Sequence, residues 1–361
     1  MKQNLTKRIN RLESNIVIDG AMELWPEGAS RAIANNTFAY GSILFKADNS
    51  NTGISLTNSQ QSSVPLNTNL QFSNQISKTA AGTLAASTYT QLIHHIEGYN
   101  LNPIYNNDFS VIFWVKSSVA SNRSLSLRNA SFSHSYVRQY SIDQADTWEM
   151  KVLKFSKVSD CPGTIDLTNG LGLYLTWCPI AGANVQTSNL NSWTAGNFIS
   201  GIGEDTTWLT GTTHNFNIAG VMVLPGDWES LTPSGYNFVR AGRNFQDELS
   251  MSQRYFAKTY NFDVAPATVT NAGRVGTMTS GAGADNGSTY WAYPSVMRAV
   301  PTIVYYNAIS GAVGSWTEGN SGSTRAVTSR FIGDKAVAVQ NTAVANQGTH
   351  FTGHIVADAR F

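Results

Sequence analysis

The residue types that can carry chemistry are six histidines, a few neighbouring acids and a surplus of aromatic rings in loop-like sequence. His94 and His95 are adjacent, so on a strand they point to opposite faces, with one packing inward. His350 and His354 would meet on a helix, but "HFTGHIVADARF" alternates like a strand. Strand rise separates them by roughly 13 Å, too far for one ion. Ordinary core and surface histidines are expected, with no metal and no cofactor; an ion on a symmetry axis, held by one His per subunit, stays open. The nearest acid pairs are Glu204-Asp205 and Asp227 with Glu229, all in turn-like sequence where acids serve as caps. A glycoside hydrolase needs two carboxylates at a defined separation across a sugar bond. No nucleophile elbow, phosphate loop or zinc motif occurs, since "GIGEDT" lacks the third glycine and a following helix. No catalytic residue is assigned, and a glycan depolymerase is the least favoured reading.

Sugar binding has a better physical basis. Pyranose C–H faces stack on exposed Trp and Tyr rings, and amide and hydroxyl groups complete the hydrogen bonds. Trp291, Tyr293, Tyr305, Tyr306 and Trp316 lie in or beside loop-like sequence and are the candidate glycan contacts. Trp291 and Trp316 are the two expected to be exposed. Charged residues make up 13% of the 361 residues and the formal net charge is +1, so nucleic acid and acidic membrane surfaces are not expected partners. No apolar run is long enough to insert in a membrane. The two cysteines, Cys161 and Cys178, are too few for a disulfide framework and read as separate thiols, although pairing across neighbouring strands stays open. The first residues lack an apolar leader, so synthesis in a cytoplasm is expected.

The elements that must position these residues are strands. In "DFSVIFWVKSSV", Phe109, Val111, Phe113 and Val115 share one face, and Ile112 and Trp114 the other. "GLGLYLTW" alternates through Leu171, Leu173, Leu175 and Trp177. "HNFNIAGVMVLPGD" alternates through Phe216, Ile218, Gly220, Met222 and Leu224 and stops at Pro225-Gly226. Many short alternating segments with turns between them predict an all-β, antiparallel jelly-roll β-sandwich over 16–256. Its end is a short helix near 246–256, through Leu249 and Phe256, followed by a second β domain over 257–361.

"IVIDGAMELWPEGAS", "IEGYNL", "FSVIFWVKSSV", "TWEMKVLKF", "NGLGLYLTW", "SWTAGNFISG", "FNIAGVMVLPGD" and "FQDELSMSQRYF", in this order over about 16–256, resemble a large family of phage virion proteins. The chain departs from that pattern at Met222-Val223-Leu224, where Gln-Leu-Glu is frequent, and at Ser252, where Cys is frequent. The resemblance implies a carbohydrate-binding-module-like jelly roll in a fibre or tail protein. "YPSVMRAVPTIVYYN" and "HIVADARF" resemble the terminal β domain fused behind it. By the same likeness Trp25, Trp114, Trp148 and Trp177 are core, and Trp193 and Trp208 fall in family-like segments whose neighbours can bury them. The implied role is a non-enzymatic virion fibre or adhesin that binds host surface glycan through its C-terminal domain. The alternative is a capsid or tail decoration protein with no specific receptor.

One segment stands apart. In "KQNLTKRINRLESNIV", Leu5 and Leu12 sit at d and Ile9 and Ile16 at a of two heptads. Arg8 at g and Glu13 at e resemble the Arg-h-x-x-h-Glu motif of short trimeric coiled coils, whereas Ile at a with Leu at d favours two strands. Residues 1–15 are read as a homotrimer-forming segment that attaches to other virion proteins, too short to be stable alone.

Overall fold

The computed structural model describes residues 15–34, 36–240, 242–278, 288–319, 321–341 and 350–361. Leu5, Arg8, Ile9, Leu12 and Glu13 lie outside the described residues. Ile16 is described, and its place in the heptad set is corrected. It is buried in the sandwich core and its N–H reaches the Val223 carbonyl at 3.4 Å, so its side chain is committed within the subunit. The chain divides into two compact units. One holds the described residues up to Trp25 with Ala29–Glu248; the other holds Pro26–Gly28 with Leu249–Phe361. The division falls inside the helix Phe245–Gln253, not at the expected position 256.

In chain order, the strands of the first unit begin with β1 (Ser30–Ile33), β2 (Thr37–Tyr40), β3 (Phe45–Asn49), β4 (Leu56–Gln61) and β5 (Ser73–Lys78). They continue with β6 (Tyr89–Glu97), β7 (Phe109–Ser117), β8 (Ser121–Asn129), β9 (His134–Ile142) and β10 (Glu149–Phe155). The last are β11 (Leu171–Ala181), β12 (Gln186–Thr187), β13 (Trp193–Ala195), β14 (Ser200–Gly201) and β15 (His214–Pro225). A six-stranded sheet runs β1-β4-β5-β15-β7-β10 and a seven-stranded sheet β13-β9-β8-β11-β6-β3-β2. Every pairing in both is antiparallel, as expected of a β-sandwich. Outside them, β12 and β14 form a two-residue parallel pair.

The two-residue period sorts β7 as its sequence requires. Phe109, Val111, Phe113 and Val115 enter the core between the sheets, where Leu173, Leu175 and Trp177 of β11 meet them. Ile112 and Trp114 point away, into a second apolar cluster on the outer side of the six-stranded sheet. β15 departs from the expected alternation. Phe216 and Ile218 face the inner core, but past an irregularity between Ala219 and Met222 it is Val221 and Val223 that do so. Met222 and Leu224 are thereby turned to the outer cluster. The flip is a bulge at Gly220, whose φ is +59° and whose carbonyl accepts the Tyr236 hydroxyl at 2.8 Å. A Cβ there would stand 2.0 Å from that hydroxyl oxygen.

The family-like segments at the two ends of this unit lock each other. Asp19, at φ +56°, accepts the N–H groups of Glu23 and Leu24 at 2.8 Å each, closing the "IDGAMELW" turn. Its own N–H goes to the Glu248 carboxylate at 2.9 Å, which also holds Arg243 at 2.7 Å. Arg243 in turn donates to the carbonyls of Asn15 and Val17. These motif residues build the fold.

In the second unit the strands are β16 (Phe256–Lys258), β17 (Val275–Met278), β18 (Ser288–Ala292), β19 (Thr302–Asn307), β20 (Ser315–Glu318), β21 (Thr324–Arg330), β22 (Ala336–Asn341) and β23 (His350–Asp358). β23 pairs antiparallel with β16, β17, β19 and β20, around a core of Tyr305, Trp316, Val327, Val339, Phe351 and Ile355.

Candidate functional site

The terminal unit does not present the expected aromatic platform. Trp316 is fully buried, with its indole N–H on the His354 carbonyl at 3.3 Å, and Gly353 supplies the slot. A Cβ at Gly353 would lie 2.0 Å from the Trp316 ring. Tyr305 is buried, its hydroxyl tied to Ser329 at 2.7 Å, and Tyr293 is buried in a second small cluster, its hydroxyl pushed up to about 12 by desolvation. The expected exposure of Trp316 is corrected, since its ring fills the slot over Gly353, and Tyr305 and Tyr293 are likewise too buried to serve as glycan contacts. Trp291 is half-buried against both clusters, and Tyr306 is half-buried beside Tyr260. Tyr290, next to Trp291, is 68% exposed. His354 is buried against the Tyr260 ring at 3.8 Å, whereas His350 is exposed.

Aromatic side chains gather instead on the outer face of the seven-stranded sheet. Directly paired residues share a face, so the register gives the rows. Phe38, Asp48 and Gln91 make one row; Tyr40, Lys46, Ile93, Thr176 and Ser126 the next; His95, Tyr174, Arg128 and Ser135 the third. Their alternates face inward, including His94, which packs on Phe45 at 4.4 Å and whose protonation burial depresses to about 3. The rings form a continuous file across the strands. Phe38 meets Tyr40 at 6.0 Å, Tyr40 meets His95 at 6.0 Å, His95 meets Tyr174 at 5.4 Å, and Tyr174 stacks on Phe132 at 4.7 Å. From β2 to β8 this is four strand spacings, about 19 Å.

The middle of the file is buried, and its ends are open: Phe38 is 56% and Phe132 36% exposed. Phe132 sits in the β8–β9 turn at φ +55°, a region an aromatic residue enters at a cost of order 1 kcal/mol. Arg128 lies under the Phe132 and Tyr174 rings, its guanidinium 5.0 and 5.4 Å from their centres. It donates to Gln91, Thr176 and Asn197 at 2.8, 3.1 and 3.0 Å, with no carboxylate in ion-pair reach among the described residues. Burial lowers its pKa to about 10, so it remains a cation at neutral pH. Lys46 lies 4.6 Å over the Phe38 ring. Residues 197–204 roof the far end of the face: Asn197 takes Arg128, Ile199 packs on Cys178, and Gly201 and Glu204 bond the Ser124 hydroxyl. Both cysteines are free thiols.

The acids singled out by sequence have other partners. Asp205 caps the Thr207 N–H at 2.7 Å, Asp227 takes the Glu229 N–H at 3.0 Å, and Glu229 pairs with Arg138 at 3.0 Å. Glu204 is buried, and desolvation raises its carboxyl to about 7.

No family model matches the sequence, and no curated protein matches it. Among solved structures, a family 11 carbohydrate-binding module from a Clostridium thermocellum cellulosomal cellulase is similar at TM-score 0.29 and 11% identity, over 55% of this chain and 96% of that one. A candidate sugar-binding protein from Bacteroides thetaiotaomicron is similar at TM-score 0.32 and 10% identity, over 59% and 100%. Likeness at such TM-scores decides neither fold nor ligand.

Proposed function

We propose that the chain is a non-enzymatic glycan-binding protein that uses the outer face of the seven-stranded sheet, carried on a phage virion as a fibre or adhesin. The observation that carries the glycan reading is the file Phe38–Tyr40–His95–Tyr174–Phe132, laid across the strands with amide, hydroxyl and cationic groups in the same rows. The exposed Phe38 and Phe132 rings and the half-buried Tyr174 take sugar C–H groups, and the positive field of Lys46 and of the buried Arg128 favours a glycan bearing carboxylate or sulfate. The strained Phe132 supports the same reading, because the turn holds an exposed ring where a glycine would fit better. The non-enzymatic part is supported by the engagement of Asp205, Asp227 and Glu229 in caps and an ion pair. The virion role, with trimeric N-terminal attachment, rests on the sequence resemblance.

The test is calorimetric titration of the whole chain with acidic and neutral host polysaccharide, for the natural protein and for Tyr174→Ala with Phe132→Ala. Affinity is expected to fall at least tenfold in the double variant with no rise in reducing ends at any stage. Unchanged affinity, or release of reducing ends by the natural chain, contradicts the proposal.

A further inference from the structure

The Arg128 guanidinium is buried, and its side-chain acceptors among the described residues are all neutral oxygens, those of Gln91, Thr176 and Asn197. Buried charges are ordinarily paired, because hydration lost by a lone one is not recovered. A carboxylate does lie on the same face. Asp48 of β3 stands opposite Gln91 of β6 in the register, half-buried, and accepts the Gln91 amide N–H at 3.1 Å. The Tyr89 hydroxyl also bonds Asp48 and holds it in place.

Gln91 therefore stands between a carboxylate and a guanidinium, donating to one and accepting from the other at 2.8 Å. Those two charges fix its amide: the NH2 group must face Asp48, and the carbonyl must face Arg128. In direct contact the acid and the cation would form a hydrogen-bonded pair with little outward field. Held one amide apart, each keeps its own. Lys46 lies beside Asp48 and over the Phe38 ring, so the charges balance at that end of the face. Beneath Tyr174 and Phe132 the field is that of Arg128.

We infer that Gln91 sets the charge preference of this face: its neutral amide keeps Arg128 from being cancelled, and the acidic group of a glycan is drawn to the Tyr174–Phe132 end. Gln91 is buried and acts through Arg128, so it is a positioning residue. The inference rests on the reading of this face as the glycan site and adds what selects the glycan's charge.

The experiment titrates the whole chain calorimetrically with polygalacturonate and with its methyl-esterified form, which share a backbone and differ in charge. The natural chain is expected to prefer the acidic form. Gln91→Glu places a carboxylate against the guanidinium and is expected to cut acidic affinity about tenfold, with the ester within twofold of the natural value. The fall of acidic affinity with added salt should become shallower in that variant. With Arg128→Gln already present, Gln91→Glu is expected to cost less than threefold, since no cation remains to cancel. Asp48→Asn, which removes the opposing carboxylate, should raise acidic affinity severalfold. Equal loss of both forms in Gln91→Glu, an unchanged preference there, or no gain in Asp48→Asn overturns the inference. A natural chain that binds the two forms equally, or binds neither, contradicts the acidic-glycan reading itself and the inference with it.

Discussion

The two outer faces of the sandwich manage their surfaces in contrasting ways. The six-stranded sheet buries its outer side under a second apolar cluster in which Trp114, Met222, Leu224, Trp228 and Tyr236 meet. Its rim, at the β9–β10 connection, carries a groove. The seven-stranded sheet carries polar and aromatic rows on its outer side, covered at one end by 197–204, open at Phe38 and Phe132, and floored by a cation without a carboxylate partner among the described residues. An apolar outer row recruits a cover and becomes a second core. A row of rings and amides stays partly open, because amides and charges lose more on burial than they regain without partners.

The largest effect is expected at the residue that creates the apolar face. Gly220→Ala would place a methyl against the Tyr236 hydroxyl at a positive φ, reversing the bulge that turns Met222 and Leu224 outward. A loss of about 3–4 kcal/mol in urea denaturation is expected. A loss below about 1 kcal/mol would show that the outer cluster does not depend on the bulge.

Next is a pH dependence to which two buried carboxyls contribute, Glu204 on the other face and Asp19 in the turn after residue 18, the latter also raised to about 7 by burial. The Glu204 carboxyl, under the roof, is raised to about 7 by burial. Below the ordinary carboxylate value both folded and unfolded chains hold the proton, and the contribution is fully present. As pH rises to 7 the unfolded chain releases it first, so about 3 kcal/mol is lost through this group. Melting curves from pH 4.5 to 8 should show the decline, and Glu204→Gln should reduce it by about half, leaving the part that Asp19 contributes. An unchanged slope in that variant assigns the decline to other groups.

Arg128→Gln is expected to reduce affinity for acidic polysaccharide roughly tenfold and for neutral polysaccharide far less. Equal loss for both ligand types would erase the charge preference of this face. The smallest effect is a gain. Phe132→Gly relieves the positive φ and should stabilise by about 0.5–1 kcal/mol while weakening glycan binding, a trade expected where strain serves a ring platform. Loss of stability in this variant would remove the strain from the account.

The sandwich was readable in the sequence because β7 and β11 alternate cleanly, and the expected sorting of Phe109 to Val115 against Ile112 and Trp114 is the one observed. The flip in β15 was hidden, since Gly220 reads as one more small residue in an alternating run. Trp316 was misread for a related reason: "GAVGSWTEGN" is glycine-rich and loop-like, and only the distant Gly353 opens the slot that buries the ring. Trp148, expected in the core, is half-buried against the outer apolar cluster and also lines the groove. The aromatic file escaped notice because its members come from four separate segments. Those on strands sit at the alternate position beside a core residue, as Tyr174 does between Leu173 and Leu175, and Phe132 sits in a turn of exposed serines. Register brings them together, and one sequence does not print register.

The claim that glycan binds on the sandwich face, and not on the terminal unit, is tested most directly by hydrogen–deuterium exchange of the whole chain with and without saturating acidic host polysaccharide. Protection is predicted in 38–48, 89–97, 128–136 and 171–178, with 288–319 unchanged. Protection confined to 288–361, with those four segments exchanging as in the free chain, would contradict it.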